Sequence, residues 1–178
     1  QGSGTFVVGK VAVLDSGLEV LESLDTMAQR LGLEITVSDL NIEAVQANEE
    51  IAAALNVSAD AKLTRVRRVI RADDRPVAYL VDVLPEEYLH SDDVPSDFHG
   101  SVLDFLQGRG DALASSRANV SAIGATAEVA KAIEIQRGDV LLHFNSQLFS
   151  AEGKIVDYSL SYFIPGYFHF HVVRRVGS

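Results

Sequence analysis

The chain has 178 residues, enough for one domain with a full core, and its 47% hydrophobic and 22% charged residues exclude a disordered chain. It has no cysteine, which excludes disulfides, thiolate metal sites and a Cys nucleophile. Asp and Glu outnumber Lys and Arg by 25 to 15, a net charge of −10, so these residues by themselves are expected to repel nucleic acid.

No apolar run approaches the ~20 residues of a membrane span, and no cationic-then-apolar leader is visible, so a cytoplasmic protein without a membrane partner is expected. The chain opens QGSGTFVVGK, and the Gly-x-Gly at residues 2 and 4 lacks the third glycine of a dinucleotide fingerprint. Two β-like stretches, TFVV and KVAVL, are broken by Gly9 and closed by a DSG turn. In GLEVLESLDTMAQRLGL, Leu18, Leu21, Leu24, Met27 and Leu31 recur at three- and four-residue spacing, which predicts an amphipathic helix ending at Gly32. LEITVSDLNIEAVQA alternates as a long strand, and Asn48 caps a short helix, EEIAAALNV. KLTRVRRVIR, ADDR and PVAYLVDVLP read as strand, turn and strand.

EEYLHSDDVPSDFHG reads as an acidic surface loop, and SVLDFLQGRG as a short helix that begins at Ser101. ASSRANVSAIGA predicts a strand of small residues and TAEVAKAIEI another helix. A second hairpin follows over residues 136–165, and YFHFHVVRR is the last strand. The two helix-then-hairpin segments superpose: Ile51 falls on Val129, Ala52 on Ala130, Leu55 on Ile133 and Leu63 on Leu141. With one residue inserted before the turn, Val77 falls on Val156 and Tyr79 on Tyr158. Two such units predict an α+β fold, an antiparallel sheet with helices packed on it.

Four arginines lie within seven residues of the first hairpin. Alternation puts Arg65, Arg67 and Arg71 on one face, expected to be solvated, and Arg68 on the apolar face. If the turn has an odd number of residues, Arg68 faces Leu80 with Asp82 a diagonal neighbour, and Arg68 either pairs with Asp82 or neutralises the anionic group of a ligand. Ser101 is either a plain N-cap or, with Arg68, part of an anion site. His143, Asn145 and Gln147 share a face, as do Asp157, Ser159 and Ser161, and each set is a solvent face or the polar floor of a pocket. His169 and His171 point the same way from one strand, but no third ligand is evident in the sequence, so no metal site is expected. No cofactor and no catalytic residue are expected either: there is no Gly-x-Ser-x-Gly elbow, and Asp82 is the one good acid–base candidate.

RVRRVIRADDRPVAYLVDVLP, the SVLDFL helix start, TAEVAKAIEI before a second hairpin and the closing YFHFHVVRR together resemble the UTRA domain, over roughly residues 18 to 175. That domain is the effector-sensing half of GntR-type bacterial transcription regulators of the HutC subfamily. The resemblance implies a chorismate lyase-like fold over residues 10–178 with a buried small-molecule pocket. It also implies a homodimer, whose effector resets the spacing of two DNA-binding heads. Residues 1–9 then resemble the last strand of a winged helix-turn-helix wing and its linker, and DNA would be a partner only through that missing domain. A lyase-like enzyme acting on a small carboxylate is the alternative.

Sugar-phosphate-sensing members hold the phosphate with two arginines two apart, and these positions fall on Arg68 and Ile70. Leu80 stands where they carry a Glu, with Asp82 the nearest acid. Ser101 matches their Ser-x-Tyr contact, but Leu103 replaces the Tyr. Arg117 falls near a further ligand-contacting Arg, and their late Tyr falls on Tyr162 or Phe163. Together with Asn145 and Ser161, these residues form the expected ligand site. The expected effector is a small anionic metabolite less polar than a phosphosugar, a carboxylate or single-phosphate compound with an apolar body.

Overall fold

In the computed structural model, residues 13–177 are described, and the expected wing and linker, residues 1–9, lie outside them. The elements in order are β1 (Leu14–Gly17), α1 (Leu24–Leu31), β2 (Ile35–Gln46), α2 (Glu49–Leu55), β3 (Lys62–Ala72) and β4 (Arg75–Pro85). They continue as α3 (Val102–Arg109), β5 (Leu113–Gly124), α4 (Ala127–Ala132), β6 (Val140–Ser150), β7 (Ile155–Phe163) and β8 (Phe168–His171). Six strands form one antiparallel sheet in the order β2-β3-β4-β7-β6-β5, while β1 and β8 pair in parallel as a separate ribbon. This is the α+β architecture that the two hairpins predict.

The strand order makes the internal repeat visible. Each half is a strand, a helix and a hairpin, β2-α2-β3-β4 and β5-α4-β6-β7, and the halves meet where β4 pairs with β7. The correspondence extends to irregularities: the ladder skips Val77 in one hairpin and Val156 in the other, and both are fully buried. Opposite Arg68 stands Leu80, and at the equivalent pair Ser146 faces Ser159.

Helices α2 and α4 pack on one face, over Leu63, Val69, Tyr79, Val83, Leu141 and Tyr158. The ribbon, α1 and α3 cover the other face, over Val66, Ile70, Leu80, Leu84, Leu148 and Phe163. Each helix begins at a polar cap: Ser23, Asn48, Ser101 and Thr126 accept the amides of Thr26, Ile51, Asp104 and Val129. The first hairpin turns at Asp73 and Asp74, both with positive φ, as a two-residue type I′ turn requires. An even turn would put Arg68 out of phase with Leu80; the bulge at Val77 restores the pairing.

Three expectations need correction. The first helix starts at Leu24 rather than near Leu18, because the Leu18 amide still donates to the His171 carbonyl at 2.8 Å and holds the chain extended along the ribbon. The DSG segment is strand β1 rather than a turn, since the C-terminal strand lies beside it. Arg65, Arg67 and Arg71 are not simply solvated: Glu43 receives Arg65 and Arg67 at 2.9 and 2.8 Å, and Glu134 receives Arg71 at 2.8 Å.

Candidate functional site

The face under α1 and α3 is incompletely filled. Between the sheet, the Ser16–Asp25 segment, the start of α3 and the start of β5 lies a cavity of about 680 Å³. Alternation along four strands decides what reaches it: Arg68 and Ile70 from β3, Leu80 and Asp82 from β4, Asp157, Ser159, Ser161 and Phe163 from β7, and Phe144 and Ser146 from β6. Ser101 and Leu103 close it from α3, and Met27 and Asp25 from α1. One wall is thus aromatic and aliphatic, while the floor is a run of serines beside a charged cluster.

That cluster is the Arg68–Asp82–Asp157 group. The Arg68 Nη1 donates to Asp82 Oδ2, and the three residues are 8%, 8% and 4% exposed. Of the two accounts of Arg68, the internal pair is the one observed. Its stem runs past Gly100, where an added Cβ would stand 3.0 Å from Arg68 Cδ and φ is +93°, so this position has room only for glycine. Asp157 Oδ1 is buried without a hydrogen-bond partner among the described residues. Burial pushes the Asp157 carboxyl well above the usual carboxylate range; the Asp82 carboxylate adds to this, and Arg68 opposes it. Burial also raises Asp25, with Asp104 adding and Arg68 and His99 opposing. One guanidinium therefore faces three carboxyl groups.

Of the expected ligand residues, the structure brings together Arg68, Leu80, Asp82, Ser101, Leu103, Ser161 and Phe163 at the cavity. The other three lie elsewhere. Asn145 points to the opposite face, where its Nδ2 donates to the Tyr158 hydroxyl at 2.9 Å. Tyr162 is on that face too, stacked on His143 with ring centroids 4.6 Å apart, so Phe163 takes the inward position. Arg117 is exposed on β5 opposite Gln147. Of the two polar sets left open, Asp157, Ser159 and Ser161 form the floor, and His143, Asn145 and Gln147 do not reach it. Asp157, Asp25, Ser146 and Ser159 are missing from the expected site. Alternation from Ser161 was the available signal for Ser159 and Asp157; nothing local marks Asp25.

The UTRA domain profile matches residues 30–169 of this chain. No curated protein matches it. Among solved structures, PhnF from Mycobacterium smegmatis is similar over 93% of this chain and 73% of its own, with TM-score 0.82 and 17% identity. The effector domain of the same PhnF is similar over 86% of this chain and 95% of its own, with TM-score 0.78 and 18% identity. A putative transcriptional regulator from Streptomyces coelicolor is 26% identical, over 80% of this chain and 95% of its own, with TM-score 0.69. At 17 and 18% identity the likeness to PhnF concerns the fold.

Proposed function

The chain belongs to the UTRA domain family, and we propose that it is the effector-sensing and dimerising domain of a GntR-type transcription regulator of the HutC kind. A small molecule enters the cavity, favours one arrangement of a homodimer, and so alters DNA binding by a winged helix-turn-helix domain outside these residues. Such coupling needs only a ligand that prefers one of two arrangements. The observation that carries the reading is the cavity of about 680 Å³ floored by serines and lined by the carboxyl groups of Asp82, Asp157 and Asp25.

The same geometry changes the expected effector. Arg68 is engaged by Asp82, and Asp157 and Asp25 add two more carboxyl groups. Among the described residues that line the cavity, Arg68 is the one cation, so an anion would meet this acidic cluster with no unpaired cation to hold it. A ligand with an N–H donor, an amine or amide on an apolar body, suits a cavity lined by the carboxyl groups of Asp82, Asp157 and Asp25 and by Phe144 and Phe163. The lyase-like alternative would need Asp82 as acid or base, and the Arg68 pair already occupies it.

Native mass spectrometry of the wild type beside Arg68→Ala and Asp157→Asn tests this. A dimer carrying a nitrogenous compound that Asp157→Asn loses supports the reading. A phosphate or carboxylate compound lost from Arg68→Ala restores the anionic effector. A monomer, or conversion of the bound compound, overturns the sensor.

A further inference from the structure

The ribbon places three metal-ligating side chains together outside the cavity. In the parallel pair, Asp15 stands beside His169 and Gly17 beside His171. Leu14, Ser16 and Phe168 turn inward and are buried, so Asp15, His169 and His171 share the outward face. The His169 Nδ1 lies 3.3 Å from Asp15 Oδ2, and the His171 Nδ1 lies 3.0 Å from Asp15 Oδ1. One donor atom from each of the three falls within 4.8 Å of the others. The third ligand that the histidine pair lacks in sequence is therefore supplied 154 and 156 residues away.

We propose that Asp15, His169 and His171 bind a divalent transition-metal ion of the zinc type. Bonds of about 2.0–2.2 Å in tetrahedral geometry set donor atoms about 3.3–3.6 Å apart. The two imidazole nitrogens lie 3.3 and 3.0 Å from different oxygens of Asp15, so metal binding requires the side chains to turn until the three donor atoms converge. Two imidazoles and one carboxylate suit zinc, cobalt or nickel and not calcium or magnesium, which take oxygen ligands. Both rings turn Nδ1 toward the carboxylate, so Nε2 carries the proton in the metal-bound form. Nearby charge is mixed: the Glu19 carboxylate lies beside Gly17, while Arg30, paired with Glu22, also donates to the Asp15 carbonyl at 3.4 Å. Three protein ligands leave a fourth position for water. The ion fastens β1 to β8, the ribbon that continues into the Ser16–Asp25 rim of the cavity.

The competing account is that Asp15 merely accepts hydrogen bonds from two imidazoles. Tag-free protein stripped with a chelator and titrated calorimetrically with zinc chloride, nickel chloride and magnesium chloride separates the two. Zinc and nickel are expected to bind one per chain, and magnesium not at all. Zinc at a hundredfold excess over its dissociation constant raises the unfolding midpoint by roughly 5–10 °C. His169→Ala and His171→Ala each weaken zinc at least tenfold while leaving the metal-free midpoint unchanged, since both side chains are exposed. Imidazole ¹⁵N spectra move at the Nδ1 atoms of these two rings. The absence of zinc binding at millimolar concentration overturns the site. So does undiminished binding in the double variant, which would place the ion on His90, His99 or His143.

Discussion

Arg68 and Asp82 stand on adjacent strands as a diagonal pair, and their side chains are only 9% and 11% exposed while the guanidinium Nη1 donates to the carboxylate Oδ2. Each charge is tolerated in the sheet because the other is there. Removing one partner strands the remaining charge, so Arg68→Ala or Asp82→Ala is expected to cost about 3–5 kcal/mol in urea unfolding. Replacing both together, Arg68→Met with Asp82→Leu, costs far less than the sum of the single changes. Additive losses would show that the pair is not coupled.

Asp157 makes stability depend on pH. The groups facing it are Asp82 from β4 and Arg68 from β3, and burial with the Asp82 charge raises its folded value. The folded state then holds the proton more tightly than the unfolded chain does. This contribution is fully present below the ordinary carboxylate value of about 3.9 and is lost as pH rises through the folded value. Asp157→Asn removes the ionisation, so its advantage over the wild type grows as pH rises, by about 1.4 kcal/mol for each pH unit of the window. Parallel curves for the two proteins from pH 4 to 8 would contradict this.

Ser101 separates a structural from a ligand role. Its Oγ accepts the Asp104 amide at 3.2 Å, the plain N-cap bond of α3. Ser101→Ala is expected to lower stability by about 1 kcal/mol. Effector affinity, read by calorimetry once the ligand is in hand, changes less than threefold. Ser101→Asp keeps the cap and restores the stability.

The turn at Asp73–Asp74 offers a stabilising change. Asp74 sits at φ 61°, a left-handed conformation that glycine adopts without steric cost. Asp74→Gly completes the Asp-Gly pattern that type I′ turns favour, with an expected gain of about 0.5–1 kcal/mol. Chemical denaturation of the single variant measures it.

Most of the architecture was legible because its signals are local. Capping residues, strand alternation and the Asp-Asp turn each act within a few positions, and the structure has Ser101, Asn48 and the hairpins where those signals put them. The ribbon was not legible, because what makes DSG a strand is a partner at the far end of the chain. The same cause hid the third member of the Asp15–His169–His171 cluster. At the cavity, Arg68, Leu80 and Asp82 share the inward face, but through the bulge at Val77 rather than through an odd turn. Alternation failed at Asn145 and Tyr162 because a strand's period says which residues travel together and not which face the helices leave open. The charge around the cavity was only partly legible for a similar reason: Arg68 is conspicuous in sequence, whereas the carboxyl groups near it come from three separate elements.

The duplicated hairpins divide labour between backbone and side chains. Both halves keep the same skipped residue, Val77 and Val156, and the same pairing across the strand, yet Arg68 and Leu80 in one become Ser146 and Ser159 in the other. A scaffold built of two like halves thus carries an unlike pair of linings, with the seam between β4 and β7 running beneath the cavity. Chemical preference can consequently be rewritten at inward strand positions while the frame stays fixed. Each such position has a counterpart in the opposite half, so the molecule holds an internal control for any change made to its own recognition.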